Sequence, residues 1–593
     1  MAKQVSTHNK QVDFSWTKLG QYGLINGAAI IFVCLVGMVE VFDKRDIIFN
    51  VLSLGRALPV GVSFSIGLVV ARRLSDSKID RALLGGLVVG LIGSVMTAIL
   101  VLIIEPLNMR QMFVNASPGL VNILTFGQES QITGLLMLAG VLSGLSILGA
   151  LVYLLPPLPR RVLLTGLTAV LLMGMLQELL DVILSRSNVT EPLAKFLFGR
   201  KGLSVPGAVA VFAVFGGLNG LWSTQGNAVK KGYASLPLAQ QRIFTGGVIV
   251  IAMAGLLVLP QAVGPYISQI LVLVGIYTLM GLGLNIDIGL AGLLDLGFVG
   301  FFAIGAYTAS LLTTTGDLGL SSALAGEATK ASYTSFWVSI PIAVAVAGMA
   351  GVILGVPVLR MRGDYLAIVT LGFAEIIRIL VLSDFLRPYL GGAQGILNIP
   401  KPVIKFVDFT IKDPGHFYYL IIIGCAIIAF IAWRLQYARV GRNWMAIRED
   451  EDVAETMGIN LVASKLLAFG IGASFAGLSG AIFATQVGSV FPHSFALLVS
   501  INVLCLVIIG GIASIPGVIV GALVLIGLPE LLREFSEFRL LIYGALLIVM
   551  MLVKPEGFWP SEVRRRELHA AEELEVQPVV GDSALEATGT MST

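Results

Sequence analysis

Charge is scarce in this 593-residue chain. Asp, Glu, Lys and Arg make up 13% of it, against roughly a quarter in soluble domains. Together with 56% hydrophobic residues and a mean hydropathy of +0.90, that shortage excludes a soluble globular protein and leaves an integral membrane protein. The net charge of +3 is too small to argue for nucleic acid as a partner. Cysteine is scarcer still: Cys34, Cys425 and Cys505 lie inside apolar stretches without pairing spacing, so no disulfide framework or thiolate metal site is implied. The histidines His8, His416, His493 and His569 are scattered and form no ligand motif. No GxxxxGK[ST] phosphate loop occurs, which argues against ATP hydrolysis by this chain. No nucleophile–base arrangement stands out, so the chain reads as a non-enzyme that binds no metal or cofactor of its own. The N-terminus does not read as a cleaved signal, because its first apolar run is longer than a signal core and lacks a clear small-residue cleavage site.

Long apolar runs are what the chain has in abundance. A spanning helix needs about 20 mostly apolar residues, and sixteen candidate runs occur. Six lie in the first part (24–41, 50–70, 83–104, 132–155, 162–184 and 204–222) and ten in the second (243–262, 268–285, 294–313, 335–357, 365–382, 416–434, 464–486, 497–511, 515–531 and 539–553). The expected fold class is all-α, a polytopic transmembrane helical bundle. Basic residues gather in alternate loops: Arg72, Arg73, Lys78 and Arg81; Arg160 and Arg161; Lys230, Lys231 and Arg242; Arg360 and Arg362; and the loop 441–465. The positive-inside tendency then puts both termini in the cytoplasm. Lys44, Arg45, Arg186, Lys195, Arg200 and Lys201 fall in loops of the opposite side and weaken the pattern locally. The polar segment 223–241 divides a membrane extension, 1–240, from a core, 241–555, and a charged tail, 556–593, should be flexible.

The longest polar interruption in the second half is 441–465. Within it, 449–457 reads as a short helix: Glu449, Asp450, Glu451 and Asp452 load its first turn, where the helix dipole favours anions, and Gly458 is the expected stop. Val453, Ala454 and Met457 would form a small apolar face. A second stretch, 281–312, is dense in glycine (Gly289, Gly292, Gly297 and Gly305 among them) around Asn285, Asp287 and Asp295, with Asp287 expected at the inner surface. Glycine lets membrane helices approach closely or break, and a carboxylate within the membrane is a functional candidate. In a third, Glu375 and Arg378 lie three residues apart on one helical face, expected as a pair facing the bundle interior. In a fourth, Gly472, Ala476, Gly480 and Ala484 recur every fourth residue as a packing face. Gly510-Gly511 and Pro516-Gly517 follow in a re-entrant or hairpin-like turn.

The run AIREDEDVAETMGIN resembles the loop with which importer permeases of the ATP-binding cassette class grip their ATPase subunits, in the form found in branched-chain amino acid permeases. The GLLDLG and GAYT segments, GDYLAIVTLGFAEIIR, and SINVLCLVIIGGIASIPGVIVGALVL through YGALLIVMMLVKPEGFW resemble the same family in the same order, over roughly 265–560. Ala393-Gln394 inside Gly391–Ile396 departs from the family pattern. The resemblance implies a permease subunit in the cytoplasmic membrane of a prokaryote, moving leucine, isoleucine or valine by alternating access. Its partners would be cytoplasmic ATPase subunits that use ATP, a second permease subunit or another copy, and an extracytoplasmic substrate-binding protein. Glu449, Asp450, Glu451, Asp452, Ala454, Glu455 and Gly458 would dock the ATPase. Asn285, Asp295, Tyr307, Thr370, Glu375 and Arg378 are candidates for the path or gate, and Gly289, Gly292, Gly297, Gly305, Gly472, Gly480, Gly510 and Gly511 for helix packing. Urea, short amides or other amino acids are alternative cargoes, and an ion-coupled secondary carrier is the competing class. Residues 1–240 lie outside the resemblance.

Overall fold

The computed structural model describes residues 15–74, 79–186, 190–234, 237–315, 318, 335–358, 364–404 and 409–531, then 538, 541, 544–545, 548, 550 and 557–560. The tail 561–593, most of the expected span 539–553, and Lys78, Arg360, Arg362 and Gly363 lie outside the described residues. Among the described residues, eleven helices are long and apolar enough to cross a membrane, and three more apolar helices are shorter. The chain divides into two compact units, the division falling between Ile251 and Ala252.

In the first unit, Trp16–Val36, Leu54–Leu74, Ile79–Ile104 and Gln131–Leu154 pack as a four-helix bundle. Small residues set the close approach: a Cβ on Gly67 would overlap the Ser146 carbonyl, and one on Gly149 the Phe64 carbonyl. Pro157–Met175 pairs with Val205–Ala234. The expected span 162–184 is interrupted at Leu176 (φ −92°, ψ 12°), after which Gln177–Leu184 starts anew. A short antiparallel ribbon, Asp46–Ile48 with Leu52–Ser53, closes one end of this unit.

The second unit is built around Leu461–Val487. Phe336–Val358 and Phe298–Thr313 make the most extensive contacts with it. The reason is the same small-residue code. A Cβ on Gly480 would overlap the Phe302 carbonyl, on Gly305 the Gly477 backbone, and on Gly477 the Ala347 side chain. Where hydrocarbon solvates apolar side chains as well as protein does, such van der Waals approach is what drives helices together.

Among the sixteen expected spans, the division between 243–262 and 268–285 and two shortfalls in length have physical causes. The helical run Leu238–Leu284 is two helices meeting at Gly264 (φ 88°, ψ 175°), where Pro265 lacks the N–H that would continue the ladder. Phe298–Thr313 has 16 residues and Leu497–Gly510 has 14. At 1.5 Å per residue they reach only about 24 and 21 Å, short of a hydrocarbon core of ~30 Å. Leu497–Gly510 ends at Gly511 (φ 123°), and the chain turns through Ala513 (φ 61°) into Ile515–Ala522. Ser514 caps that helix, accepting from Gly517 N at 3.1 Å.

Candidate coupling segment and buried acidic junction

The polar interruption 441–465 is not one loop. Arg439–Glu449 is an amphipathic helix whose buried face is Gly441, Trp444 and Ile447. Trp444 is fully buried, and its Nε1 donates to Ser464 O at 2.8 Å. The chain breaks at Asp450 (φ −158°, ψ 116°), whose carboxylate accepts from Asp452 N (2.9 Å) and Val453 N (3.0 Å). This is an N-cap, and it opens the short helix Glu451–Thr456. The expected helix start at Glu449 is therefore corrected by two residues, to Glu451: Glu449 closes the preceding helix and Asp450 separates the two. Gly458, at φ +84°, ends the segment, and Asn460 caps the central helix by accepting from Ala463 N at 2.9 Å.

The expected apolar face also splits. Ala454 is 2% exposed and faces its own protein, whereas Val453 and Met457 are 57% and 78% exposed. Asp452 and Glu455 are exposed beside them. Six residues make under two turns, so one residue faces inward while its neighbours point out.

Two side chains tie this surface to the interior. Lys465 Nζ meets Glu451 Oε1 at 2.7 Å, and the Lys465 side chain is only 5% exposed. Arg448 Nη1 donates to Gly289 O at 2.9 Å, and its aliphatic stem lies over Gly292 (φ +72°). In the sequence, Arg448 and Lys465 count only toward the basic character of the loop 441–465. The signal present was a lysine in the first turns of an apolar helix, four residues after an Asn-Leu start.

Arg448 thus touches a π-helical turn, Asn285–Leu290. Wide turns of this kind are rare and gather at functional sites. Asn285 Oδ1 accepts from Ala513 N at 2.8 Å, holding the turn between the two short C-terminal helices. Asp287 is fully buried within the protein. The π turn directs it inward against Gly472, whose missing side chain makes the room. Neither carboxylate oxygen of Asp287 has a hydrogen-bond partner. Asp295 is also buried: Oδ1 accepts from Gly297 N at 2.8 Å, and Oδ2 has no partner. Thr370 Oγ1 accepts from Leu296 N at 3.0 Å, and a Cβ on Gly297 would overlap the Thr370 carbonyl. Asn285, Asp287, Asp295 and Thr370 therefore belong to one junction, with Gly289, Gly292, Gly297 and Gly472 lining it.

The other predicted residues lie elsewhere. Tyr307 is buried, its ring 5.7 Å from that of Phe495, and its hydroxyl is unpaired. Glu375 and Arg378 form a two-point ion pair, Nε to Oε1 at 3.0 Å and to Oε2 at 3.1 Å. Their side chains are 39% and 32% exposed, among the exposed Ile376, Ile379 and Leu380. The pair sits on the flank of Asp364–Leu382 and does not face the packed interior of this unit. Neutralising charge between neighbours on one helix lets both occupy an otherwise apolar surface. Gly510 and Gly517 are in mutual backbone contact, and Gly511 packs on Trp559, whose N–H donates to Gly510 O at 2.9 Å.

Fold and site define an all-α, polytopic membrane protein in which a surface acidic helix is tied to a buried polar junction. The chain belongs to the family described as the permease component of branched-chain amino acid transport systems, which matches residues 266–552. It is 39% identical over 342 residues to the high-affinity branched-chain amino acid transport system permease protein LivM of Escherichia coli K12, covering 54% of this chain and 75% of that protein. It is 22% identical over 330 residues to a probable LivM of Methanocaldococcus jannaschii, covering 50% of this chain and 94% of the relative. With the LivH permease of Escherichia coli K12 it shares 28% identity over 187 residues, or 30% of this chain and 60% of LivH. No solved structure matches the chain.

Proposed function

We propose that this chain is a transmembrane subunit of an ATP-binding cassette importer that moves leucine, isoleucine or valine into a prokaryotic cell by alternating access. Both termini lie in the cytoplasm on this reading. The single observation that carries it is the pair of links from the 439–458 surface to the interior: Lys465 to Glu451 and Arg448 to Gly289. A helix that merely decorated a loop would have no need of a near-buried cation at its root. Held this way, a push on Val453, Met457, Asp452 and Glu455 is delivered to the central helix and to the π turn rather than dissipated in the loop.

Separate ATPase subunits would supply that push by hydrolysing ATP, and a binding protein would present the amino acid at the opposite end. A second permease subunit or another copy would complete the path. Asn285, Asp295 and Thr370 would line or gate it, because the junction they border joins the central helix to the short C-terminal helices, the parts least able to span a membrane rigidly; Tyr307 would line it away from that junction, beside Phe495. Glu375 and Arg378 would act where Asp364–Leu382 meets another subunit or lipid. Residues 1–240 would be an accessory membrane unit.

The test is co-purification from membranes. Wild type should retain ATPase subunits, and a variant with 449–458 replaced by a Gly/Ser linker should lose them while still inserting. Absence of any ATPase with wild type would overturn the importer reading in favour of an ion-coupled carrier, for which the buried carboxylates Asp287 and Asp295 would be the groups to test next.

A further inference from the structure

The central helix runs for 27 residues from the acidic segment, so its far end lies roughly 40 Å away. At that end Val490 and Ile396 exchange backbone hydrogen bonds of 3.0 and 2.9 Å. This fixes the loop around Gly391–Ile396 to the face opposite the ATPase-docking surface. A cavity of about 290 Å³ opens there, near the lower bound of the roughly 300–1,000 Å³ typical of small-ligand sites.

The wall of this cavity is rigid and chemically divided. Gly391 (φ +80°), Gly392 (φ +57°) and Gly395 (φ +66°) take left-handed backbone. A Cβ on Gly391 would overlap the Gly395 carbonyl, and one on Gly395 the Val490 carbonyl. Thr314 Oγ1 donates to Leu397 O at 2.6 Å, and Thr315 N to Asn398 O at 3.2 Å, pinning the other rim. Polar lining comes from Arg387, Gln394 and Asn398, and apolar lining from Leu318, Ile396 and Leu397. The Arg387 stem lies over Gly392, and its guanidinium is only loosely engaged, 3.9 Å from the exposed Asp384.

We propose that this cavity is a receiving site for a free α-amino acid with an aliphatic side chain, at the outer mouth of the permease. The guanidinium of Arg387 takes the carboxylate, an anion that its planar fork of donors fits. The amide oxygens of Gln394 and Asn398 take the ammonium. Leu318, Ile396 and Leu397 take the aliphatic side chain. This assignment rests on the importer reading above and adds to it a stop between the binding protein and the membrane path.

The experiment uses the complete transporter, full chain with its partner subunits: retention of radiolabelled L-leucine is measured in lipid nanodiscs without the binding protein, and ATP-driven uptake and binding-protein association in proteoliposomes with it. Wild type should retain leucine, Arg387→Gln and Gln394→Ala should weaken retention at least tenfold, and Arg387→Lys should restore part of it. Isoleucine should compete, whereas leucinamide, which lacks the carboxylate, should not. Retention equal in wild type and Arg387→Gln, with ATP-driven leucine uptake intact, overturns the site but leaves the importer reading standing. Leucinamide competing as well as leucine overturns the role of Arg387. Unchanged leucine retention together with lost association of the binding protein would make the cavity a docking socket and overturn the proposal. Absence of ATP-driven uptake of any branched-chain amino acid by wild type would sink the underlying importer reading itself.

Discussion

The two units use one packing code to different ends. In the first, Gly67 meets Ser146 and Gly149 meets Phe64; in the second, Gly305 meets Gly477 and Gly480 meets Phe302. Both bring backbones into contact through missing side chains. The difference lies in what else is buried. Among the described residues, the buried polar side chains of the first unit are all uncharged (Asn26, Ser63, Thr97 and Ser146, for example), whereas the second buries Asp287, Asp295 and Lys465. The described π turns, Asn285–Leu290 and Leu523–Gly527, are also in the second unit. Close packing alone builds a stable bundle. Charge and irregular backbone are expensive in a membrane, and they occur in the unit that matches the transport family.

The sharpest way to break this comparison is at Lys465. Reversing it with Lys465→Glu leaves two carboxylates facing each other at the root of the surface helix. Removing one partner of a buried pair costs about 3 kcal/mol at the low end of measured cases, and the low end applies because Glu451 keeps 26% exposure. ATPase co-purification should fall more than tenfold. The double variant Lys465→Glu with Glu451→Lys should recover much of it. Equal losses in single and double variants would mean the pair does not transmit anything.

Packing comes next. Gly480→Leu would drive a side chain into the backbone of Phe298–Thr313, so assembled permease in membranes should drop severalfold. Gly149→Leu makes the same intrusion in the first unit, against Phe64. If the units are functionally separate, it should lower the yield of full-length protein yet leave ATPase association per folded molecule unchanged. Loss of association with Gly149→Leu would show that the two units act as one.

A milder effect is expected at Asp287. An unpaired ionised carboxylate in a dry interior costs several kcal/mol, so the isosteric Asp287→Asn should leave expression intact and raise the melting temperature of the purified complex. Asp287→Leu should not be tolerated, because its branched terminus would meet Gly472. Uptake lost in Asp287→Asn with ATPase association preserved would mean the carboxyl group itself moves a proton or cation during transport, and would shift weight to the carrier reading.

How much of this was legible beforehand follows from the range of the interactions. Hydropathy marks helices because spanning is a property of twenty neighbours. The four-residue recurrence Gly472, Ala476, Gly480, Ala484 marks a face because one helix carries it. The direction of Glu375–Arg378 was misjudged because spacing says that two residues share a face but not what that face meets. The burial of Asp287 against Gly472 is not legible in the sequence, because a π turn, which rotates every later side chain, has no periodic signature. The link of Lys465 to Glu451 crosses one helix end and the cap of the next helix at Asn460, and only the three-dimensional turn at Gly458 brings the ends together. Ala454 was assigned to the docking face for the same reason: a six-residue helix has too few positions for periodicity to separate inside from outside.

Gly458 offers the smallest and most discriminating perturbation. Its φ of +84° is strained for any side chain, yet a Cβ there would meet nothing within 4 Å. In the isolated chain, Gly458→Ala and Gly458→Trp should therefore cost nearly the same, about 1 kcal/mol of backbone strain, with melting shifts under ~2 °C in a protein this large. In the assembled transporter the two should diverge. If the open space around Gly458 is filled by a docked ATPase, the alanine variant should retain most uptake and the tryptophan variant should lose it, because only the large ring competes with the partner. Equal uptake by both would leave that space empty in the working complex, and would move the contact to the Val453–Met457 side of the segment.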